Sequence, residues 1–284
     1  MKLGVITDCF KQPLEQCILR AKELGFSGVQ IYATTGQFSP DTLTQEEKKN
    51  WKDKLAEAGL EVSALCGDMG GHGFQIAKDN PERIQKTKAI IDLAVEFGTH
   101  VVTTHIGVIP GDKKDPQYGV MLEALTECGR YAKEKDVTLA IETGPEDAAT
   151  LLAFLQDTEG GVGVNLDPAN FVMVTGQDPV EAVKLLGEYI VHTHVKDGVM
   201  LKRTDPKIIY EHFATGGIEA LNVADFFLET PVGEGNVDFP GYLAALKAVG
   251  YDGYLTVERE TGADPMGDIA LAYNAIRNLL KDEK

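Results

Sequence analysis

The chain has 284 residues, 43% of them hydrophobic, and a formal net charge of −17. That length suits one large domain or two small ones, and the hydrophobic content is ordinary for a soluble globular protein. A field of this sign disfavours nucleic acid and anionic membranes as partners. The four cysteines, Cys9, Cys17, Cys66 and Cys128, form no CxxC pair. No signal pattern precedes Leu3 and no apolar run is long enough to span a bilayer, so a reduced, cytoplasmic protein is expected.

Short β-branched runs alternate with helical patterns along the whole chain. Leu3–Asp8 reads as the first strand, followed by helical spacing of Leu14, Cys17, Ile18, Ala21 and Leu24. Gly25 stops that helix and Gly28–Tyr32 forms the second strand. A helix around Trp51, Leu55 and Ala58 ends at Gly59, and Glu61–Cys66 is the third strand. The loop Gly67–Gly73 is too glycine-rich for regular structure. The third helix begins at Asn80-Pro81, a capping residue before proline, with the stripe Ile84, Thr87, Ile91, Ala94 and Val95.

His100–His105 reads as the fourth strand, and Leu122, Leu125, Cys128 and Ala132 mark the fourth helix. Thr138–Glu142, a helix over roughly 148–156, Val162–Asp167 and a helix from Asp178-Pro179 to Leu186 follow. The seventh strand enters at Tyr189-Ile190-Val191 and runs through His192-Thr193-His194-Val195-Lys196-Asp197. Alternation puts His192, His194 and Lys196 on one face. The rhythm breaks over 198–238, an insertion with helical patches near Ile208–Phe213 and Ala224–Leu228. An insertion of this length is expected to act as a lid. A helix from Phe239-Pro240 to Val249, the strand Tyr254–Glu258 and a helix carrying Ile269, Ala272, Tyr273, Ile276 and Leu279 complete the chain. Eight such units, with the helix–Gly–aromatic–turn–strand pattern of 23–29 repeated at 248–254, predict a single-domain (β/α)8 TIM barrel rather than a doubly wound sheet. No GxGxxG follows the first strand and no GxxxxGK[ST] occurs.

In such a barrel the chemistry sits where strands end. The ends offer Asp8 and Cys9, Cys66 and Asp68, His105, Glu142, Asp167, His194, and Glu258 with Arg259. Three carboxylates and an imidazole cannot converge in a dry mouth without a cation, because repulsion and desolvation would be severe. Pairing with Lys196 and Arg259 is the alternative to a metal. Hard oxygens with one nitrogen suit Mn²⁺ or Mg²⁺, with Co²⁺ or Zn²⁺ also admissible.

Four segments carry a resemblance: Thr138–Glu142, Asn165-Leu166-Asp167-Pro168-Ala169-Asn170, His192–Asp197 and Thr256-Val257-Glu258. They resemble the xylose isomerase-like barrel superfamily of sugar isomerases and epimerases, inosose dehydratases and endonuclease IV. Val232–Phe239 is similar to the epimerase and dehydratase branch. The resemblance implies that Glu142, Asp167, His194 and Glu258 bind one divalent metal ion. It implies that His105 meets substrate or supports a ligand, and that His192 is structural. Asn170 stands where several relatives carry a histidine, and is expected to orient substrate hydroxyls. Lys196 is placed to bind a substrate oxygen or a carboxylate. Cys66 is expected to be a pocket-wall residue. His72, in a mobile glycine-rich loop, is given no role. Arg259 points away from the site.

The expected activity is isomerisation or epimerisation of a sugar, sugar phosphate or keto-sugar. Glu142 and Glu258 would move a proton through a metal-stabilised enediolate. An inosose-type dehydratase shares that intermediate. Nuclease action fits poorly with Asn170, six histidines and the acidic charge, and a non-catalytic sugar-binding barrel fits poorly with a full ligand set. The expected partners are a small sugar or polyol and, in a homo-oligomer, further copies of the chain.

Overall fold

The computed structural model describes residues 1–218 and 221–282. The chain runs through β1 (Lys2–Ile6), α1 (Leu14–Leu24), β2 (Gly28–Tyr32), α2 (Gln45–Ala58), β3 (Glu61–Cys66) and α3 (Asn80–Phe97). It continues through β4 (Val101–Thr104), α4 (Pro116–Glu134), β5 (Thr138–Glu142), α5 (Ala148–Asp157) and β6 (Val162–Leu166). A short helical turn, α6 (Pro168–Asn170), and a π-helical turn over Phe171–Thr175 precede α7 (Pro179–Leu186) and β7 (Ile190–Val195). An excursion then forms β8 (Asp197–Met200), α8 (Pro206–Ala214) and β9 (Phe227–Thr230), before α9 (Phe239–Ala248), β10 (Tyr254–Val257) and α10 (Pro265–Asp282).

The eight parallel strands close in the order β1-β2-β3-β4-β5-β6-β7-β10. Closure is made by β1 on β10, with Lys2 opposite Tyr254 and Val5 opposite Val257. This is the expected TIM barrel in one domain. β8 and β9 pair antiparallel outside it, Asp197 opposite Thr230 and Met200 opposite Phe227. One hydrophobic cluster fills the layer between barrel and helices; Val29, Leu139, Val164, Val195 and Leu255 are fully buried in it. Among the described residues, no helix is long and apolar enough to cross a membrane.

Several local expectations are corrected. Asn80 does not cap α3: the cap position is Asp79, without a capping bond, and Asn80 Nδ2 instead donates to the Phe74 carbonyl at 3.1 Å. Val95 is 48% exposed, while Ile90 and Leu93 are buried. Val95 lies one helical step of about 100° past Ala94 and off the buried face. The patch at 224–228 is not a helix. It splits into a 3-10 turn, Val223–Asp225, and β9, because pairing with β8 satisfies its backbone. Strands 1, 4, 6, 7 and 8 of the sequence reading each extend past the observed ladders, the seventh ending at Val195 with Asp197 already in β8. His105, Asp167 and Glu258 therefore stand just beyond the last ladder residue, while Asp8 falls in the exposed 3-10 turn Thr7–Phe10 that follows β1.

Candidate metal centre

Glu142 ends β5, Asp167 follows β6, His194 is the penultimate residue of β7 and Glu258 follows β10. Four consecutive barrel strands thus deliver the four groups, all buried, with exposures of 8%, 0%, 1% and 7%. One ligand atom from each lies within 4.8 Å of all the others, a grouping that could hold a metal ion. His194 Nδ1 lies 2.8 Å from Glu258 Oε2 and 3.6 Å from both Glu142 Oε1 and Asp167 Oδ2. Yet Asp167 Oδ2, His194 Nδ1 and Glu258 Oε2 are buried without a hydrogen-bond partner. Buried polar atoms are seldom left so. Three such atoms facing one point, with hard oxygens and a nitrogen, fit a divalent cation.

The second atom of each group is fixed. Asp167 Oδ1 accepts from the amides of Ala169 and Asn170 at 2.7 and 3.1 Å, which aims Oδ2 inward. Asn165 Nδ2 donates to Glu142 Oε2 at 3.2 Å. His194 Nε2 lies 3.2 Å from Gln30 Oε1, an acceptor, so Nδ1 is the nitrogen left to face the carboxylates. Gln30 Oε1 also meets His192 Nε2 at 3.0 Å, and its amide donates to Thr103 Oγ1. His192 thus supports the barrel interior and stays out of the cluster, as expected. Gln30 and Asn165 went unassigned in the sequence reading. The available signal was a lone polar residue inside each of two otherwise apolar strands.

Electrostatics favour a cation at this point. Burial would strip the proton from His194, but the Glu258 and Glu142 carboxylates hold its pKa well above the ordinary imidazole value. Burial would raise Glu258, but Lys196 and His194 hold it below the usual carboxylate range. Lys196 Nζ lies 2.5 Å from Glu260 Oε2 and 3.5 Å from Glu258 Oε1, so its amine is on carboxylates. Arg259 points away, to Glu229 and Asp268 at 2.8 Å each. Neither cation pairs with Glu142 or Asp167 among the described ion pairs, and the pairing alternative covers only part of the cluster.

Above the cluster opens a cavity of about 420 Å³, within the usual span of small-molecule sites. His105 and Cys66 line it. His105 Nδ1 is 3.1 Å from Asp68 Oδ2 and its Nε2 3.8 Å from Glu142 Oε1. Burial would lower its pKa, but Glu142 and the Asp68 hydrogen bond push it up to about 10. Burial pushes the Cys66 thiol above its ordinary value, leaving it a wall residue. Asn170 lines the cavity while its amide donates to the Thr143 carbonyl at 2.9 Å. The excursion supplies the roof. Lys207, Tyr210, Glu211 and Phe213 of α8 line the cavity. His72 also reaches it and meets Glu211 at 3.2 Å, a contact the sequence reading did not foresee. Tyr210 passes so close to Gly144 that an added Cβ there would lie 2.2 Å from its hydroxyl.

A closed parallel barrel with a buried, cation-ready cluster at the carboxyl ends of its strands defines the class: a TIM barrel with a candidate metal centre. The comparison with known families is specific. A profile of the xylose isomerase-like TIM barrel family matches residues 18–279, and the chain belongs to that family. An inosose dehydratase of Geobacillus thermodenitrificans (strain NG80-2) is 23% identical over 266 residues, 87% of this chain and 82% of the relative. A xylose isomerase domain protein from Planctomyces limnophilus superposes with a TM-score of 0.79 at 25% identity, covering 99% of this chain and 97% of its own. An L-ribulose 3-epimerase superposes with a TM-score of 0.72 at 18% identity, covering 99% and 96%. Members so named are enzymes, of more than one class.

Proposed function

We propose that this chain is a divalent-metal-dependent isomerase or epimerase of a small keto-sugar or related polyol. The observation that carries the reading is the convergence of three buried atoms that make no hydrogen bond, Asp167 Oδ2, His194 Nδ1 and Glu258 Oε2, beside Glu142 beneath a cavity of small-molecule size. Glu142, Asp167, His194 and Glu258 would hold the cation, with Mn²⁺ or Mg²⁺ best suited to three oxygens and one nitrogen. When bound, the cation supplies Lewis-acid polarisation of a substrate carbonyl and neutralises charge in an enediolate. Glu258 is kept ionised by Lys196, so it can take a proton from the carbon beside that carbonyl. Glu142, delivered from the strand on the other side of Asp167 and His194, can return it from the opposite face. Asn170 and His105 lie where substrate oxygens would pass.

A second reading, dehydration, is favoured by one observation. The Asp68–His105 pair sets an imidazole at the cavity wall, 3.8 Å from Glu142, with its pKa pushed up by both carboxylates, where it could protonate a departing hydroxyl. One experiment separates the two. The metal-loaded protein is incubated in D₂O with a panel of keto-sugars and inososes. Isomerisation or epimerisation by proton transfer incorporates solvent deuterium at the reacting carbon with no change in composition. Dehydration lowers the product by one water. A product free of solvent deuterium sinks the role of the two glutamates and turns the reading to internal hydride transfer. His194→Ala and Glu258→Gln should each lose stoichiometric metal by elemental analysis, and full retention in both would remove the ligand assignment.

A further inference from the structure

The proposed reading leaves open whether the substrate carries a charge. The groups around the mouth answer this through what they already hold. Protein sites for phosphate or carboxylate use arginine or lysine, helix N-termini, or turns whose amides converge. Three such places lie just past the carboxyl ends of β6, β7 and β10, and each is filled by a carboxylate of the chain itself. The amides opening α6 are taken by Asp167 Oδ1. The amides of Gly233, Gly235 and Val237, together with that of Gly198, converge on Asp197 at 2.8–3.1 Å. Arg259 and the amides of Glu260 and Thr261 converge on Glu229.

The cavity lining adds to this. Asp68, Asp115, Glu142, Glu211, Glu258 and Glu260 all face it, against two lysines and, among the described residues, no arginine. Lys196 is committed to Glu258 and Glu260, and Lys207 is exposed on α8. Even with a bound divalent cation and a proton on His105, the six lining carboxylates and Asp167 outnumber the positive charges. The remaining wall sets neutral polar side chains such as Gln75, Gln117 and Asn170 beside Tyr32, Val108, Pro110, Tyr210 and Phe213, a surface suited to the hydroxyls and the C–H face of a sugar ring.

We infer that the substrate is an uncharged polyhydroxy ketone, a free ketose or cyclic keto-polyol, and that phosphate esters and keto acids are refused. The inference rests on the keto-sugar reading above, and narrows it. The test uses the Mn²⁺-loaded protein and matched ligands differing in one charged group. Fructose is compared with fructose 6-phosphate, and a keto-inositol with its phosphate ester. 3-Dehydroshikimate serves as the keto acid. Binding is followed by calorimetry and turnover by NMR. At least one neutral ligand should bind about 100-fold more tightly than its phosphate ester. In the rim variants D115N and E211Q that ratio should shrink by about fivefold per carboxylate removed. Asparagine retains the helix cap that Asp115 provides, so the fold should survive. A phosphate ester or the keto acid binding as tightly as the neutral ligands overturns the inference, and so does the absence of binding by every neutral ligand. Neutral ligands that bind selectively without turning over support the charge selection and remove the isomerase reading.

Discussion

His194 meets opposite demands at its two ring nitrogens. Nε2 must donate to Gln30, and Nδ1 must present a lone pair to a cation. Gln30→Leu removes the acceptor and should weaken metal affinity about 10- to 100-fold, while Gln30→Glu should retain most of it; competition against a fluorescent chelator measures both, and equal affinity in all three proteins would remove Gln30 from the site. Glu146 offers a second test at this scale. Burial pushes its pKa up to about 8, and its Oε2 has no partner. The folded state therefore holds a proton that the unfolded chain releases near its ordinary value of 4.5. Its contribution to stability is present below that value and is lost as pH rises towards 8. Denaturant titrations should show Glu146→Gln gaining on the parent protein by a few kcal/mol between pH 5 and 8, and a pH-independent difference would contradict this. Glu142, Asp167, His194 and Glu258 were legible in the sequence because each sits where a strand ends. Gln30 and Glu146 were not, since their roles depend on residues brought near only by barrel closure.

At the scale of elements, α8 is the part that turns a barrel mouth into a cavity. Its Tyr210 passes over Gly144, two residues beyond Glu142, with no room for a side chain between them. Gly144→Ala should push α8 outward, raising KM about tenfold with a smaller effect on kcat, because the cluster below is anchored independently. Stability of the barrel should change little. Crystallography or hydrogen exchange over 206–214 would show the displacement, and unchanged exchange with unchanged KM would argue against a roofing role. The excursion itself was visible as a break in the strand–helix rhythm. Its inner structure was not: the apolar run around Phe227 suits either period, and only pairing with β8, some thirty residues earlier, decides for a strand.

For the whole molecule, the cation site and the fold are coupled but separable. In the metal-free form the His194 proton and Lys196 offset part of the carboxylate charge, so the chain should remain folded in chelator with a lowered Tm. Saturating metal at about 1,000 times its Kd should restore about 4 kcal/mol. Because His194 is held protonated by its carboxylate neighbours, metal binding near neutral pH must expel that proton. Calorimetry in buffers of different ionisation enthalpy should detect the release, and apparent affinity should rise with pH; a pH-independent affinity would place the metal elsewhere. Eight-fold alternation made the closed barrel readable from end to end, since each strand and helix repeats the same local chemistry. The excursion is held differently. Asp197 gathers the amides of Gly233, Gly235 and Val237 where the segment leaves and rejoins the barrel, and Gly235 approaches so closely that a Cβ would lie 2.1 Å from the Asp197 carboxylate. The two ends are knotted to each other, and Glu229 on the returning strand also holds Arg259 and the amides of Glu260 and Thr261, so only what lies beyond the β8–β9 pair can vary without the barrel registering the change. The segment is built as a cassette: excised between Met200 and Phe227 and replaced by a foreign loop of matching span, it should leave a folded, metal-competent barrel ready to accept a different roof.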